Sequence, residues 1–185
     1  MRLFENELLH HGSRPKEIYT AWQVGKVCLL RVSDVIKLKY HQIYDEKGRV
    51  RNTVVTHDTK TKKFNPLNLR PLSHVLSSYR EWLIASKINS QWLFPRPTDD
   101  EKHINRKVVY RYIKQSADFL GFKHIGTHSA RKTGAYILYK NTNNLAMVSR
   151  MLNHSSERLT EIYLGISNPA ITTAVNNTDW DRIPK

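Results

Sequence analysis

Apolar residues recur every three to four positions over most of the chain and alternate with polar ones over a short central stretch. Over residues 15–30, Ile18, Trp22 and the cluster at 27–30 fall on one side of a helix, and Pro15 suits its first turn. Ser33 in "RVSDVIKL" reads as the N-cap of a short helix. Residues 71–87 place Leu72, Val75, Leu76, Tyr79, Trp82 and Leu83 on one face. Residues 104–120 predict a further helix, with Gly121 where a left-handed terminating residue belongs. Three shorter helices follow at 127–139, 144–152 and 156–166, separated by the polar runs "KNTNN" and "NHSS". In the last of them Leu159, Ile162, Tyr163 and Ile166 form an apolar stripe, which predicts that all four face the protein.

The period changes over residues 39–69. "YHQIY", "RVRNTVVTH" and "KKFNPLNL" are β-rich and are separated by "DEKG" and "DTKT", which predicts a three-stranded antiparallel sheet. "FPRPTDD" reads as a loop. The sum is an α+β fold, mainly α with that small sheet. Residues 1–14 read as a loose N-terminal segment, 15–166 as the folded domain, and 167–185 as a tail with a brief helix at 171–175.

Composition narrows the choice of partner. Thirty Lys and Arg against 16 Asp and Glu give a formal charge of +14. A folded chain this basic usually meets a polyanion, nucleic acid first and an acidic membrane surface second. The single cysteine, Cys28, excludes a disulfide or a multi-thiolate metal site within one chain, and its apolar surroundings suit a buried thiol. With no signal peptide and no apolar run near eighteen residues, a soluble intracellular protein is expected.

Candidate chemistry lies near the C-terminal end. His128 and Arg131 in "THSARKTGAYIL" are three apart and share a helix face. "LNHSSERLTEIYLGI" then brings His154 and, nine positions later, Tyr163. On periodicity alone Tyr163 is a core residue. The two blocks together, however, resemble the C-terminal active-site region of the tyrosine recombinases, the phage-integrase family: His-x-x-Arg, some twenty residues, Leu-Gly-His-Ser, then tyrosine. "LLRVSDVIKL" resembles the family's first arginine block and places that arginine at Arg31. "DTKTKKFNPLNL" resembles the family's lysine hairpin, with Lys60 as its lysine and Lys62 or Lys63 in its place if the register differs. Asn153 and Leu29 stand where the family has glycine, and Asp34 where glutamate is commoner. Asn tolerates the left-handed backbone that glycine would supply.

The resemblance implies the tyrosine-recombinase catalytic fold and a catalytic set of Arg31, Lys60, His128, Arg131, His154 and Tyr163. It implies DNA strand cleavage and rejoining through a 3′-phosphotyrosyl intermediate, with no metal and no cofactor. Two planar guanidiniums suit the charge that develops on the non-bridging oxygens of a phosphodiester. The scattered carboxylates, "DDE" among them, match no metal-nuclease pattern. Expected partners are double-stranded DNA and further copies of the chain in a tetrameric synapse, with a monomer in the absence of DNA. The expected location is the cytoplasm, in association with DNA, for a protein of bacterial or phage-derived origin. A separate N-terminal DNA-binding domain, usual in the family, is not expected here.

Lys62, Lys63 and Lys132, with Arg106, Lys107, Arg111 and Lys114 of the 104–120 helix, are further DNA-contact candidates. Lys107, Arg111 and Lys114 share a face at helical spacing. Two other readings remain open at this point: a type IB-like topoisomerase, and a catalytically silent DNA-binding regulator of the same fold.

Overall fold

The computed structural model describes residues 1–10, 12–59, 63–166 and 175–176. Its elements run α1 (Arg2–Leu8), α2 (Pro15–Val27), α3 (Val32–Val35), α4 (Tyr40–Ile43), β1 (Thr53–His57), β2 (Phe64–Asn68), α5 (Ser73–Ala85), β3 (Pro95–Arg96), β4 (Asp99–His103), α6 (Arg106–Phe119), α7 (Ser129–Thr142), α8 (Leu145–Met151) and α9 (Glu157–Leu164). The fold is mainly helical with small antiparallel sheets. Helices 15–30, 71–87, 104–120 and the three C-terminal ones appear where periodicity puts them, trimmed by one to three residues at their ends except α7, which starts two residues later than expected and runs three further, to Thr142. Gly121 (φ 69°) ends α6 as expected, with Phe122 N–H donating to Ala117 C=O at 2.8 Å.

The sheet differs in its strands. β1 and β2 pair antiparallel, Thr53 opposite Asn68 and His57 opposite Phe64. The expected third strand, "YHQIY", is instead the one-turn helix α4. The Gln42 carboxamide accepts from Lys39 N–H at 2.8 Å and closes that turn. Tyr40 and Tyr44 then pack one turn apart with tilted rings, 4.5 Å between centroids, and buried Tyr44 donates its hydroxyl to Leu76 C=O at 2.8 Å. Only a single bridge, Tyr44 to Val50, joins this stretch to an extended segment. The stretch read as a loop, "FPRPTDD", holds the second hairpin, β3–β4.

Residues 1–14 also differ from expectation. α1 lies against α2 and α6, with Phe4 and Leu8 fully buried and Phe4 edge-on to Trp22 at 4.8 Å. Four apolar side chains in eight residues were too few to reveal a helix by period, but two of them complete the main core. Lys26 Nζ and Trp22 Nε1 both donate to the Glu5 carboxylate, at 2.5 and 3.2 Å, and pin α1 further.

Two apolar clusters result. The main one joins α1, α2, α5, α6 and the loops between them. A smaller one gathers Leu29, Ala135, Val148, Leu152 and Leu164 where α7, α8 and α9 meet. Cys28 lies buried beside them, and burial pushes its thiol up to about 12, so it stays protonated and inert. The helices α2 and α7 cross closely at Gly134, where an added Cβ would meet Lys26 C=O at 1.8 Å. Among the described residues no helix is long and apolar enough to cross a membrane.

Candidate active site

Two residues with left-handed backbone set the site. Leu29 (φ 51°) reverses the chain after α2, so that Leu29 enters the small cluster and Leu30 the main one. Arg31 follows as the N-cap of α3, its side chain part-buried. Asn153 (φ 52°) does the same after α8: Asn153 N–H donates to Arg150 C=O at 3.0 Å and His154 N–H to Ser149 C=O at 3.1 Å. This is the paired-bond termination that normally recruits glycine. Both positions are those where the sequence departs from the family's glycine. The expectation that Asn153 would take the glycine conformation holds; Leu29 takes it too, at some strain, because its side chain is needed in the small cluster.

Arg131 comes from the first turn of α7 and is only 4% exposed. Its Nη2 donates to Leu152 C=O at 2.7 Å, tying α7 to the turn that presents His154. Burial lowers its pKa, and the positive charge of Arg31 lowers it further, which places the two guanidiniums in one electrostatic neighbourhood. Arginine still remains cationic.

His154 is held at Nδ1 by Thr160 Oγ1 at 3.0 Å and packs edge-on to Tyr163, 5.5 Å between centroids and 86° between planes. Burial lowers its pKa, then Arg131 and Arg31 do so by charge. His128 is the N-cap residue of α7, on the exposed side of the cleft. Its pKa falls for the same first reason, burial, followed by the charges of Arg106, Arg131 and Arg31. Both imidazoles are therefore neutral near pH 7.

Tyr163 is half-buried on α9. Its hydroxyl is enclosed yet has no hydrogen-bond partner of good geometry, although the Arg131 guanidinium lies close enough to act on it. Burial raises its pKa; the charges of Arg131 and Arg31 pull it part of the way back. The stripe predicted for this helix is rotated. Leu159 and Ile162 are 47% and 65% exposed, whereas Thr160 and Leu164 are buried alongside the half-buried Tyr163 and Ile166. Thr160 takes an inward position because its hydroxyl has a partner in part-buried His154, a reason that apolar periodicity cannot register.

Five of the six candidates, Arg31, His128, Arg131, His154 and Tyr163, are thus brought into one electrostatic neighbourhood around the two guanidiniums. Lys60 and Lys62 lie outside the described residues. Lys63 is exposed and closes the β1–β2 hairpin through its C=O, which accepts from Asp58 N–H at 3.0 Å. Two carboxylates tether that hairpin to the arginine. Asp58, 2% exposed, ion-pairs with Arg31. Asp34 Oδ1 accepts from Thr59 N–H at 3.1 Å, while its Oδ2 is buried without a hydrogen-bond partner. The support role of Asp34 was left open by the sequence. Asp58 and Thr160 were missed altogether: one looks like a turn aspartate, the other like a helix-surface polar residue.

Of the remaining basic candidates, Arg106, Lys107, Arg111 and Lys132 are exposed. Arg106 acts on His128, so the basic end of α6 borders the cleft. Lys114 is engaged by Asp118, and Arg111 lies over the Tyr112 ring at 5.4 Å. Among the described residues no group of three or more His, Cys, Asp or Glu could hold a metal ion.

Comparisons with known proteins bear on this arrangement. The chain is 29% identical over 162 residues to the probable integrase/recombinase YoeC of Bacillus subtilis, covering 88% of this chain and 84% of that protein. It is 26% identical over 160 residues to the tyrosine recombinase XerD of Neisseria meningitidis, covering 85% of this chain and 52% of the relative. The fold superposes on the XerH site-specific recombinase bound to its difH substrate with a TM-score of 0.72 at 19% identity, over 95% of this chain and 52% of XerH. It also superposes on the catalytic domain of bacteriophage HP1 integrase, with a TM-score of 0.60 at 14% identity, over 100% of this chain and 94% of that domain. Residues 5–168 match the Phage integrase family. By that match, which spans most of its length, the chain belongs to the phage integrase family.

Proposed function

We propose that the chain cleaves and rejoins DNA by site-specific strand exchange, with Tyr163 as nucleophile. The observation that carries this reading is the Tyr163 hydroxyl, buried without a good hydrogen-bond partner beside Arg131 and within the field of Arg31. A core tyrosine normally finds a partner for its hydroxyl. A nucleophile awaits its partner, the phosphorus of a bound phosphodiester.

In this mechanism Tyr163 Oη bonds to phosphorus and the 5′ oxygen leaves. Arg31 and Arg131 stabilise the non-bridging oxygens, and neutral His154 donates a further hydrogen bond. Each such preorganised donor is worth on the order of 10²–10³ in rate. Neutral His128 takes the phenolic proton. A lysine of the hairpin, Lys60 in this reading with Lys62 and Lys63 as substitutes, protonates the leaving oxygen. Asp58 keeps Arg31 aligned through one edge of the guanidinium, which has five N–H donors and retains others for phosphate. The resulting 3′-phosphotyrosyl ester conserves the energy of the broken bond, so a 5′-hydroxyl of a second strand completes the exchange without a high-energy cofactor.

Double-stranded DNA is the proposed partner. The XerH relative was solved on its difH substrate, and lambda integrase as a dimer on a core site. Arg106, Lys107, Arg111 and Lys132 would contact phosphates around the cleft, and binding would weaken steeply with salt. A cytoplasmic protein acting in a tetrameric synapse fits this chemistry.

The test is a denaturing gel of the protein incubated with nicked duplex carrying its crossover site. A covalent protein–DNA adduct is expected, and Tyr163→Phe abolishes it. Specific binding of that site with no adduct would instead favour the silent regulator.

A further inference from the structure

Thr160 has no role in the reaction as described above, yet it is completely buried, 0% exposed, on a helix whose neighbouring apolar residues Leu159 and Ile162 are not. Its hydroxyl makes one hydrogen bond among the described residues, the 3.0 Å contact with His154 Nδ1. The direction of that bond follows from counting donors and acceptors. If His154 donated from Nδ1, the hydroxyl proton of Thr160 would be buried with no acceptor, a costly arrangement. If Thr160 donates instead, its proton and the Nδ1 lone pair are both satisfied. The ring proton then sits on Nε2.

The two nitrogens of an imidazole point away from each other. Pinning Nδ1 to a buried hydroxyl therefore turns Nε2 outward, and the edge-on packing against Tyr163 fixes the ring plane. His154 itself is only part-buried, and it lies within the field of Arg131 and Arg31. Burial first, then the charges of Arg131 and Arg31, lower its pKa and favour the neutral ring, which makes its tautomer matter: with Nδ1 engaged by Thr160, a neutral ring can donate to a bound anion only in the Nε2–H form.

We infer that Thr160 is a positioning residue that holds His154 in the Nε2–H tautomer, leaving that N–H to donate to the phosphate that the strand-exchange reading places beside Arg31 and Arg131. The tautomer can be read without any reaction. Its catalytic consequence rests on the strand-exchange reading above.

The experiment is long-range 1H–15N correlation on the 15N-labelled, DNA-free chain near pH 7, with the His154 pattern identified by its loss in His154→Gln. The expected result is protonated Nε2 and unprotonated Nδ1 in the wild type. Thr160→Val, equal in shape but lacking the hydroxyl, moves the proton towards Nδ1 or averages the two forms, and Thr160→Ser restores the wild-type pattern. In the gel assay Thr160→Val forms adduct about 10- to 100-fold more slowly, as expected for loss of a group that orients another, and Thr160→Ser stays close to wild type. A wild-type ring protonated at Nδ1, or a tautomer unchanged in Thr160→Val, overturns the inference. If Thr160→Val does not fold, the wild-type and Thr160→Ser spectra decide: Nδ1–H in either overturns it. An Nε2–H ring in a protein that forms no adduct leaves this inference standing and removes the strand-exchange reading instead.

Discussion

Tyr163 can be separated from an ordinary core tyrosine by its energetics. A buried hydroxyl without a good partner gains nothing from burial, so removing it costs the fold nothing. Tyr163→Phe should leave the unfolding free energy unchanged or raise it by up to about 1 kcal/mol, measured by urea denaturation, while abolishing adduct formation. A loss above about 1 kcal/mol would mark the hydroxyl as a structural hydrogen-bonding group. This scale is also where sequence reading was strongest and weakest. That Arg31, His128, Arg131, His154 and Tyr163 come into one neighbourhood was legible, because they sit in spaced motifs. Asp58 and Thr160 were not, because they work through long-range or turn-spanning bonds that leave no period in the sequence. Leu29 is intermediate: its departure from glycine was visible, but not that a leucine would accept left-handed backbone so that its side chain could fill the small cluster.

Among the elements, the crossing of α2 with α7 governs the site. Arg31 follows α2 by one tight turn and Arg131 rides on α7, so their spacing depends on how closely these helices approach. Gly134 permits that approach. A methyl group there would collide with the Lys26 backbone, which cannot rotate away. Gly134→Ala should destabilise the protein by about 1–3 kcal/mol, the range for overpacking a close contact. Its surviving folded fraction should form adduct more slowly than wild type, because the arginines are pushed apart. Unchanged thermal stability in Gly134→Ala would show that the contact yields easily. The helices themselves were legible from three-to-four-residue periodicity. The exceptions share a cause: α4 and the β3–β4 hairpin are too short to show a period, and α1 is defined by what it packs on. In α9 the apolar pattern pointed to the wrong face because a polar contact decides which side turns inward.

For the molecule as a whole, one buried carboxyl gives stability an unusual pH dependence. Glu17 is buried in the main core region, and desolvation raises its pKa to about 7 although Arg14 Nη1 lies 3.3 Å away. The folded state therefore keeps a proton that the unfolded chain releases above its ordinary value of about 4.3. Glu17 contributes fully below that value, and its contribution is lost as pH rises towards 7. Glu17→Gln should flatten this part of the stability–pH curve, measured by denaturation between pH 4 and 8. An equal slope in wild type and variant would locate the titration elsewhere. The formal charge of +14 acts at the same scale: in the proposed reading it would draw the basic surface to DNA and leave the residues around Arg31 and Arg131 to select the reacting phosphate. The central claim is that this phosphate becomes bonded to one particular side chain. Protease digestion of the covalent adduct, followed by mass spectrometry of the nucleotide-bearing peptide, identifies that side chain directly. The nucleotide is predicted on Tyr163, within the peptide "LTEIYLGI". Its recovery on Tyr136, Tyr139 or any serine would contradict the account.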